Sequence, residues 1–445
     1  MSASDTIYAV SSGSGRAAIS LIRISGRQTR AILEAMAGKT GESRKYQLRT
    51  LVEPATGSVL DQAICVWLPG PRSFTGEDCA EIHVHASRAV LASVFKALSS
   101  FADVRPAEAG EFTRRAVMNG KMDLVEAEGL GDLLAAQTEA QRRQAMSQVL
   151  GKASSVFDSW REQLLQIRAD IEAVIDFADE EGVAEAAGQR IDAQIAELVR
   201  EMDQAVSRSV LAEAVRDGVK VVLAGVPNTG KSSLLNALAQ RDAAIVSAIP
   251  GTTRDVIEVM LDIGGIPVIL TDTAGLRFSA DEVEQEGIAR SKREAGMADI
   301  LVWVASADVE ESMVFATGMA PDLVVLGKSD LDIDQSGLFR NDLRRVIPVS
   351  AKTGSGIPDF IQSLTSLLNQ RLQACENPIV VSARQKNATR ESIRMLNDSL
   401  LHQTLDLELK AEDIRRASVA IGRITGRTEV EEWLGAIFSK FCIGK

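Results

Sequence analysis

The residues richest in chemistry are Gly225-Val226-Pro227-Asn228-Thr229-Gly230-Lys231-Ser232, which fit the pattern G-x-x-x-x-G-K-S. They follow an apolar run, 219–224, and precede a helical pattern that begins Ser233-Leu234-Leu235. Glycines at such a strand-to-helix turn let the backbone fold around phosphates with its amides pointing inward. Lys231 supplies positive charge to the terminal phosphates, and the Ser232 hydroxyl is a ligand for Mg²⁺. Asn228, Thr229, Gly230 and Ser233 complete the cradle.

Four further motifs follow in order. Asp272-Thr273-Ala274-Gly275 closes an apolar run at 267–271. Its aspartate can hold Mg²⁺ through water, and its glycine amide can sense a γ-phosphate. Gly251-Thr252-Thr253-Arg254-Asp255 stands where a switch loop belongs, with Thr253 as a second hydroxyl for Mg²⁺. Gly327-Lys328-Ser329-Asp330 stands where a guanine motif N-K-x-D would sit. Asp330 can accept hydrogen bonds from N1 and N2 of guanine. Adenine has a lone pair at N1 and no N2 group, so it is rejected. Ser350-Ala351-Lys352 follows another strand as the fifth element. Together these five predict a domain that binds guanine nucleotides.

Two positions depart from that pattern. Leu276 follows the Asp272–Gly275 motif, where a Ras-like protein carries a water-positioning glutamine. Leucine cannot orient water, so hydrolysis needs another polar group and another source of charge for the transition state. Gly327 replaces the motif's asparagine. With Asp330 retained, the expectation is weaker nucleotide binding with unchanged base preference. Gly327→Asn should then tighten GTP and GDP alike.

The elements that position these residues show in the texture of the sequence. Residues 1–118 alternate short apolar runs with Gly, Pro and Ser turns. Runs at 19–24 and 63–68 and the period-two stretch 81–85 predict strands, and 28–37 and 87–100 predict helices. The class expected is α+β. Residues 119–217 lack proline and carry 20 acidic against 10 basic residues. Val125, Leu130, Leu133 and Leu134, then Leu164, Ile167, Ile171, Val174 and Ile175, fall at helical spacing and predict long amphipathic helices. Residues 218–375 return to strand–helix alternation, with buried-strand runs at 219–224, 267–270, 300–304 and 322–326. A mainly parallel sheet covered on both faces is expected there. Residues 376–445 are helical again. The α/β domain is therefore predicted as an insertion into one split all-α domain.

Composition sets the outer bounds. In 445 residues, 45% are hydrophobic and 25% charged, enough for cores of ordinary size. Lys plus Arg number 49 against 61 Asp plus Glu, a net charge of −12, which excludes a basic nucleic-acid binder as a whole-chain description. Aromatics at 4% do not suggest a stacking platform for single strands. The four cysteines are widely spaced with no C-x-x-C pair, which points away from zinc, redox and disulfide frameworks. The N-terminus lacks the basic and apolar regions of a signal peptide, and no apolar run has the length of a membrane span. A cytoplasmic protein with no membrane contact is expected. His83 and His85 would share one strand face, but no third metal ligand is evident. Cys442 lies four residues from the end, in a sequence without a usual prenylation terminus.

The chain resembles the MnmE (TrmE) family of tRNA modification GTPases along essentially its whole length. The resemblance rests on Leu21-Ile22-Arg23-Ile24-Ser25-Gly26, Ser73-Phe74-Thr75-Gly76-Glu77-Asp78, Pro106–Phe112, Lys121-Met122-Asp123-Leu124, the acidic stretch Asp176–Glu181 and the terminal Phe441-Cys442-Ile443-Gly444-Lys445. The family resemblance implies a two-protein enzyme. A GTPase works with a flavin (FAD)-dependent partner, MnmG (GidA), to add an aminomethyl or carboxymethylaminomethyl group to C5 of the wobble uridine of certain tRNAs. The one-carbon unit comes from a tetrahydrofolate in its 5,10-methylene or formyl form. It implies a folate-binding and dimer-forming N-terminal domain, with folate contacts at Arg23, Glu81, Lys121 and Lys445. It implies that GTPase domains pair across a homodimer when K⁺ binds at Asn228, Ser247, Ile249 and Thr252. Glu284 then orients the attacking water, and Cys442 is a candidate catalytic thiol. Ser247 replaces a more usual threonine, and Ser12-Gly13-Ser14-Gly15 replaces a Pro-Pro-Gly type of turn. The competing readings are a GTP-switched RNA-binding or ribosome-assembly factor, which a basic tail would favour, and a folate-dependent transferase with a decayed GTPase domain. The sequence has no basic tail and retains Gly230-Lys231-Ser232 and Asp272.

Overall fold

The computed structural model describes residues 5–13, 15–176, 183–240, 258–272, 296, 298–309, 320–331, 346–372, 379–402, 406–428, 437–438, 441 and 443–444. The chain forms two compact units. One comprises Met1–Gly131, Gln148–Arg161 and Ile421–Lys445; the other comprises Asp132–Ser147 and Glu162–Ala420.

The first unit is built on β1 (Thr6–Val10), β2 (Ile19–Ser25), β3 (Gln47–Val52), β4 (Val59–Leu68), β5 (Cys79–His85) and β6 (Val104–Pro106), with helices α1 (Thr29–Ala37), α2 (Arg88–Leu98) and α3 (Glu111–Met118). The sheet order is β3-β4-β5-β2-β1-β6. The pairs are antiparallel except β1 with β6. Strand alternation sorts the side chains. Ile22, Ile24, Ile82 and Val84 join Ile32, Leu33, Val94 and Leu98 of the two helices in one core. Arg23, Glu81 and His83 therefore lie on the opposite face. There Phe112 of α3 closes a smaller core with Ile7, Ala9 and Phe74.

An ion network ties α3 to the sheet. Glu111 is 1% exposed; Arg105 donates to its two oxygens at 2.9 and 2.6 Å, and Arg115 donates at 3.1 Å. Arg105 and Arg115 also reach Asp5 at 2.7 and 2.8 Å. Arg115 continues to Glu77, which accepts from Ser25 Oγ at 2.7 Å.

The second unit begins within α4 (Leu124–Ala135), continues through α5 (Glu139–Val149), and takes in most of α6 (Lys152–Asp176) and all of α7 (Val183–Asp217). Leu164, Ile167 and Ile171 are buried, as their spacing predicts. Leu134 is 48% exposed, against expectation. Leu134 stands in the last turn of α4, beyond the buried stretch that ends at Gly129. The α/β part follows: β7 (Val219–Ala224), α8 (Lys231–Ala239), β8 (Glu258–Ile263), β9 (Ile266–Asp272), β10 (Ile300–Ser306), β11 (Leu323–Gly327), β12 (Val346–Pro348) and α9 (Ile357–Leu372). The strand order is β12-β11-β10-β7-β9-β8, with only the β8–β9 pair antiparallel.

Both faces of this sheet are apolar. Val221, Leu223, Val268 and Val302 pack with Leu234 and Phe360 on one side; Val222, Leu301, Trp303 and Leu326 form a second layer. Helices α10 (Ala383–Leu401) and α11 (Leu407–Thr425) complete the described residues of the unit, the end of α11 belonging to the first. The buried Lys410 ammonium pairs with Asp192 of α7 at 2.5 Å. Ser382 and Gln385 form a reciprocal capping box at the start of α10. Among the described residues no helix is long and apolar enough to cross a membrane.

Candidate functional site

Strand order reverses at β7, which has β10 on one side and β9 on the other. The crevice beyond the carboxyl ends of the strands at such a point is where open α/β sheets bind ligands. The loop 225–230 leaves β7 there and enters α8 at Lys231. Its backbone conformation explains its residue types. Gly225 has φ +150°, and a Cβ on it would lie 2.3 Å from the Val304 carbonyl oxygen. Gly230 has φ 97° and Asn228 φ 65°; asparagine is among the few side-chain-bearing residues that enter this region readily.

The loop's polar groups converge. Lys231 is 3% exposed, and its Nζ donates to the carbonyls of Gly225 and Val226, each at 2.8 Å. Burial pushes its ammonium below the ordinary lysine range, opposed by the charge of Asp272. Ser232 Oγ donates to Asp272 Oδ2 at 2.5 Å. Hydroxyl and carboxylate from the Gly225–Ser232 and Asp272–Gly275 motifs thus stand side by side, a hard-oxygen pair of the kind Mg²⁺ takes. Thr229 is fully buried, and its hydroxyl donates to the Val226 carbonyl at 3.0 Å.

The base-recognition motifs meet the same loop. A cavity of about 290 Å³ is lined by Gly230 and Ser233 together with Gly327, Lys328, Asp330, Ala351 and Lys352. Ser350 Oγ donates to Asp330 Oδ1 at 2.7 Å. That bond holds the Asp330 carboxyl below its usual range, so it stands as an ionised acceptor. Lys328, at φ 55°, pairs through Nζ with Asp308 Oδ2 at 2.6 Å. A Cβ at Gly327 would lie 2.6 Å from the Thr229 carbonyl oxygen. This corrects the expectation that Gly327→Asn tightens binding: the space an asparagine Cβ needs is held by the phosphate loop's backbone. The structure therefore gathers Asn228, Thr229, Gly230, Lys231, Ser232, Ser233, Asp272, Lys328, Asp330, Ser350, Ala351 and Lys352 into one region of the second unit. Ser247, Ile249, Thr252, Thr253, Thr273, Ala274, Gly275 and Glu284 lie outside the described residues.

A second polar group lies in the first unit. Arg23 and Glu81 face each other across the β2–β5 pair, joined at 2.9 Å. The Arg23 guanidinium lies 5.1 Å from the Phe74 ring centroid and 5.9 Å from that of Phe112. The aliphatic part of Lys121 runs beside Gly76, two residues beyond Phe74. The chain's terminal motif reaches this unit too. Phe441 packs on Gly131, Ile443 bridges to Ala109, and the Gly444 carbonyl accepts from Ser11 Oγ at 2.7 Å. Gly444 has φ 100°, and a Cβ on it would meet the Val10 carbonyl oxygen at 2.1 Å. Cys442 and Lys445 lie outside the described residues.

His83 and His85 share a strand face as expected, but each has its own carboxylate. His83 Nε2 is 3.9 Å from Glu81, and His85 Nδ1 is 2.8 Å from Asp61. Among the described residues no cluster of three metal-ligating side chains occurs. His83 Nε2 is buried and finds no hydrogen-bond partner. The sequence reading did not single out Phe74, Phe112 or Asp308. Phe74, inside Ser73–Asp78, and Phe112, at the end of Pro106–Phe112, carried a usable signal; Asp308 did not.

Comparison with known proteins agrees with this layout. The model of the MnmE helical domain matches residues 124–442, and that of the GTP-binding protein TrmE N-terminus matches residues 6–121. Three relatives carry the name tRNA modification GTPase MnmE. That of Beijerinckia indica is 42% identical, covering 99% of this chain and 96% of its own length. That of Chelativorans sp. is 45% identical, covering 99% and 98%. That of Paramagnetospirillum magneticum is 44% identical, covering 99% and 100%.

Proposed function

The chain belongs to the MnmE family of tRNA modification GTPases, and from that premise we propose that it is the GTP-hydrolysing component of a wobble-uridine C5-modifying enzyme. The observation that carries the reading is the convergence of Lys231, the Ser232–Asp272 pair and Asp330 on one crevice.

In this reading residues 218–375 bind GTP. Lys231 draws charge from the terminal phosphates, and Asp330, held by Ser350, selects guanine. Ser232, with Thr253, holds Mg²⁺, which neutralises phosphate charge, and Asp272 supports it through water. Asn228, Ser247, Ile249 and Thr252 hold K⁺, which supplies the positive charge that Leu276 makes necessary. Glu284 orients the attacking water. Residues 1–118 take a methylene- or formyl-tetrahydrofolate through Arg23, Glu81 and Lys121, with Lys445 from the tail. The side chains suit such a ligand: a flat pterin can lie near the Phe74 ring, Glu81 can accept from its amino groups, and His83 Nε2, which makes no hydrogen bond, offers a further polar contact. The helical segments 119–217 and 376–445 carry the tail to that domain, with Cys442 as candidate thiol. The working form is a cytoplasmic homodimer with the FAD-dependent partner MnmG (GidA), acting on tRNA.

Hydrolysis is the first test. GTP turnover should rise with K⁺ and with protein concentration, while Na⁺, a smaller ion, substitutes poorly. Asn228→Ala should lose the K⁺ stimulation and keep nucleotide binding. Equal turnover in K⁺ and Na⁺ buffers contradicts the potassium assignment.

A further inference from the structure

Among the described residues, the motif position that would read one edge of guanine carries no side chain. Asp330, fixed by Ser350 at 2.7 Å, faces the donors on the six-membered ring of guanine in the reading above. The five-membered ring presents N7, a lone-pair acceptor that only a donor can recognise. At the motif position where an asparagine amide would supply that donor, Gly327 has no side chain. The place of its missing Cβ is crowded by two carbonyl oxygens, Thr229 O at 2.6 Å and Ala305 O at 3.4 Å. Both are acceptors and gain nothing from N7. The ammonium of neighbouring Lys328 is engaged by Asp308 at 2.6 Å, and the Ser306 hydroxyl also donates to Asp308.

We propose that Gly327 sets the specificity of this site: the protein reads the N1/N2 edge of guanine and leaves position 7 unread. Guanine nucleotides lacking the N7 acceptor are therefore ligands equal to GDP and GTP. Glycine is required at 327 because the backbone of β11 packs directly on the backbone of the phosphate loop. This inference rests on the guanine-nucleotide reading and names what that site ignores.

The test is displacement of a fluorescent guanine nucleotide from the full-length protein by GDP, 7-deaza-GDP and XDP. Diphosphates avoid turnover during the titration. The expected result is GDP and 7-deaza-GDP within twofold of each other, with XDP weaker. One read hydrogen bond would instead cost about twofold to tenfold. A loss of twofold or more for 7-deaza-GDP, with GDP bound and XDP rejected, means that a side chain such as Lys352 or an ordered water reads N7, and the inference fails. No GDP binding, or XDP preferred to GDP, overturns the underlying assignment instead. Gly327→Asn should bind GDP more weakly than the parent, because its Cβ displaces the Thr229 carbonyl; equal or tighter binding contradicts the proposal. The wild-type comparison decides the question even where the variant fails to fold.

Discussion

Replacing Glu111 by glutamine perturbs the network that holds α3, and with it Phe112, beneath Arg23. Burial alone would raise the Glu111 carboxyl. The hydrogen bonds from Arg105, the Glu108 amide and Arg115 outweigh it and hold the group at about 2, against an ordinary 4.5. A carboxylate depressed on folding stabilises the native state fully above its unfolded value, and that contribution is lost as pH falls toward the folded one. The gap of about 2.5 units corresponds to about 3 kcal/mol at pH 7 and about 2 kcal/mol at pH 3.5. Glu111→Gln should therefore destabilise the first unit by about 2–3 kcal/mol at pH 7 and by about 1 kcal/mol less at pH 3.5. Cys65 and Cys79 are both buried there, so urea unfolding read by peptide-resolved thiol labelling localises the effect. A cost below about 1 kcal/mol at pH 7, or a cost unchanged between the two pH values, would mean that the Glu111 charge does not hold α3 in place.

Two further outcomes concern the sites themselves. Gly225→Ala places a Cβ 2.3 Å from the Val304 carbonyl oxygen and should abolish GTP binding in a fluorescent-nucleotide titration while the helical signal in circular dichroism persists; intact affinity would mean that the loop rearranges freely. Gly444→Ala forces the tail off Val10, and removal of 444–445 takes away Lys445, so both should weaken formyl-folate binding by calorimetry without changing GTP turnover. Undiminished folate binding in both would remove the tail from that site.

The phosphate loop was legible because its chemistry is contiguous: one turn supplies the amides, the lysine and the hydroxyl. Strand β7 matches its expected bounds, since a strand buried at all positions but Lys220 reads as a nearly continuous apolar run ended by glycine. Strands β1, β3, β6 and β8 were not anticipated. β3 is an edge strand that alternates exposed Leu48 and Thr50 with less exposed residues, a weaker signal than a buried run. The Asp5–Arg105–Glu111–Arg115–Glu77 network could not be read, because its members are distant in sequence and only the fold joins them. For the same reason the cost of a side chain at Gly327 was misjudged. The motif shows which residue is missing, but not that a carbonyl from another loop crowds its place. The histidine pair was placed on one face correctly; Glu81 lies two residues from His83 on the same strand, whereas the contact of His85 with Asp61 of β4 depended on strand pairing.

In the function proposed above, GTP hydrolysis in this chain serves tRNA modification. Mass analysis of wobble-position nucleosides from cells lacking the protein, complemented with the wild type or with Lys231→Ala, tests it most directly. C5 aminomethyl-type uridines should disappear in the deletion, return with the wild type and stay absent with Lys231→Ala. Unchanged nucleosides in the deletion, or full recovery with Lys231→Ala, would contradict it.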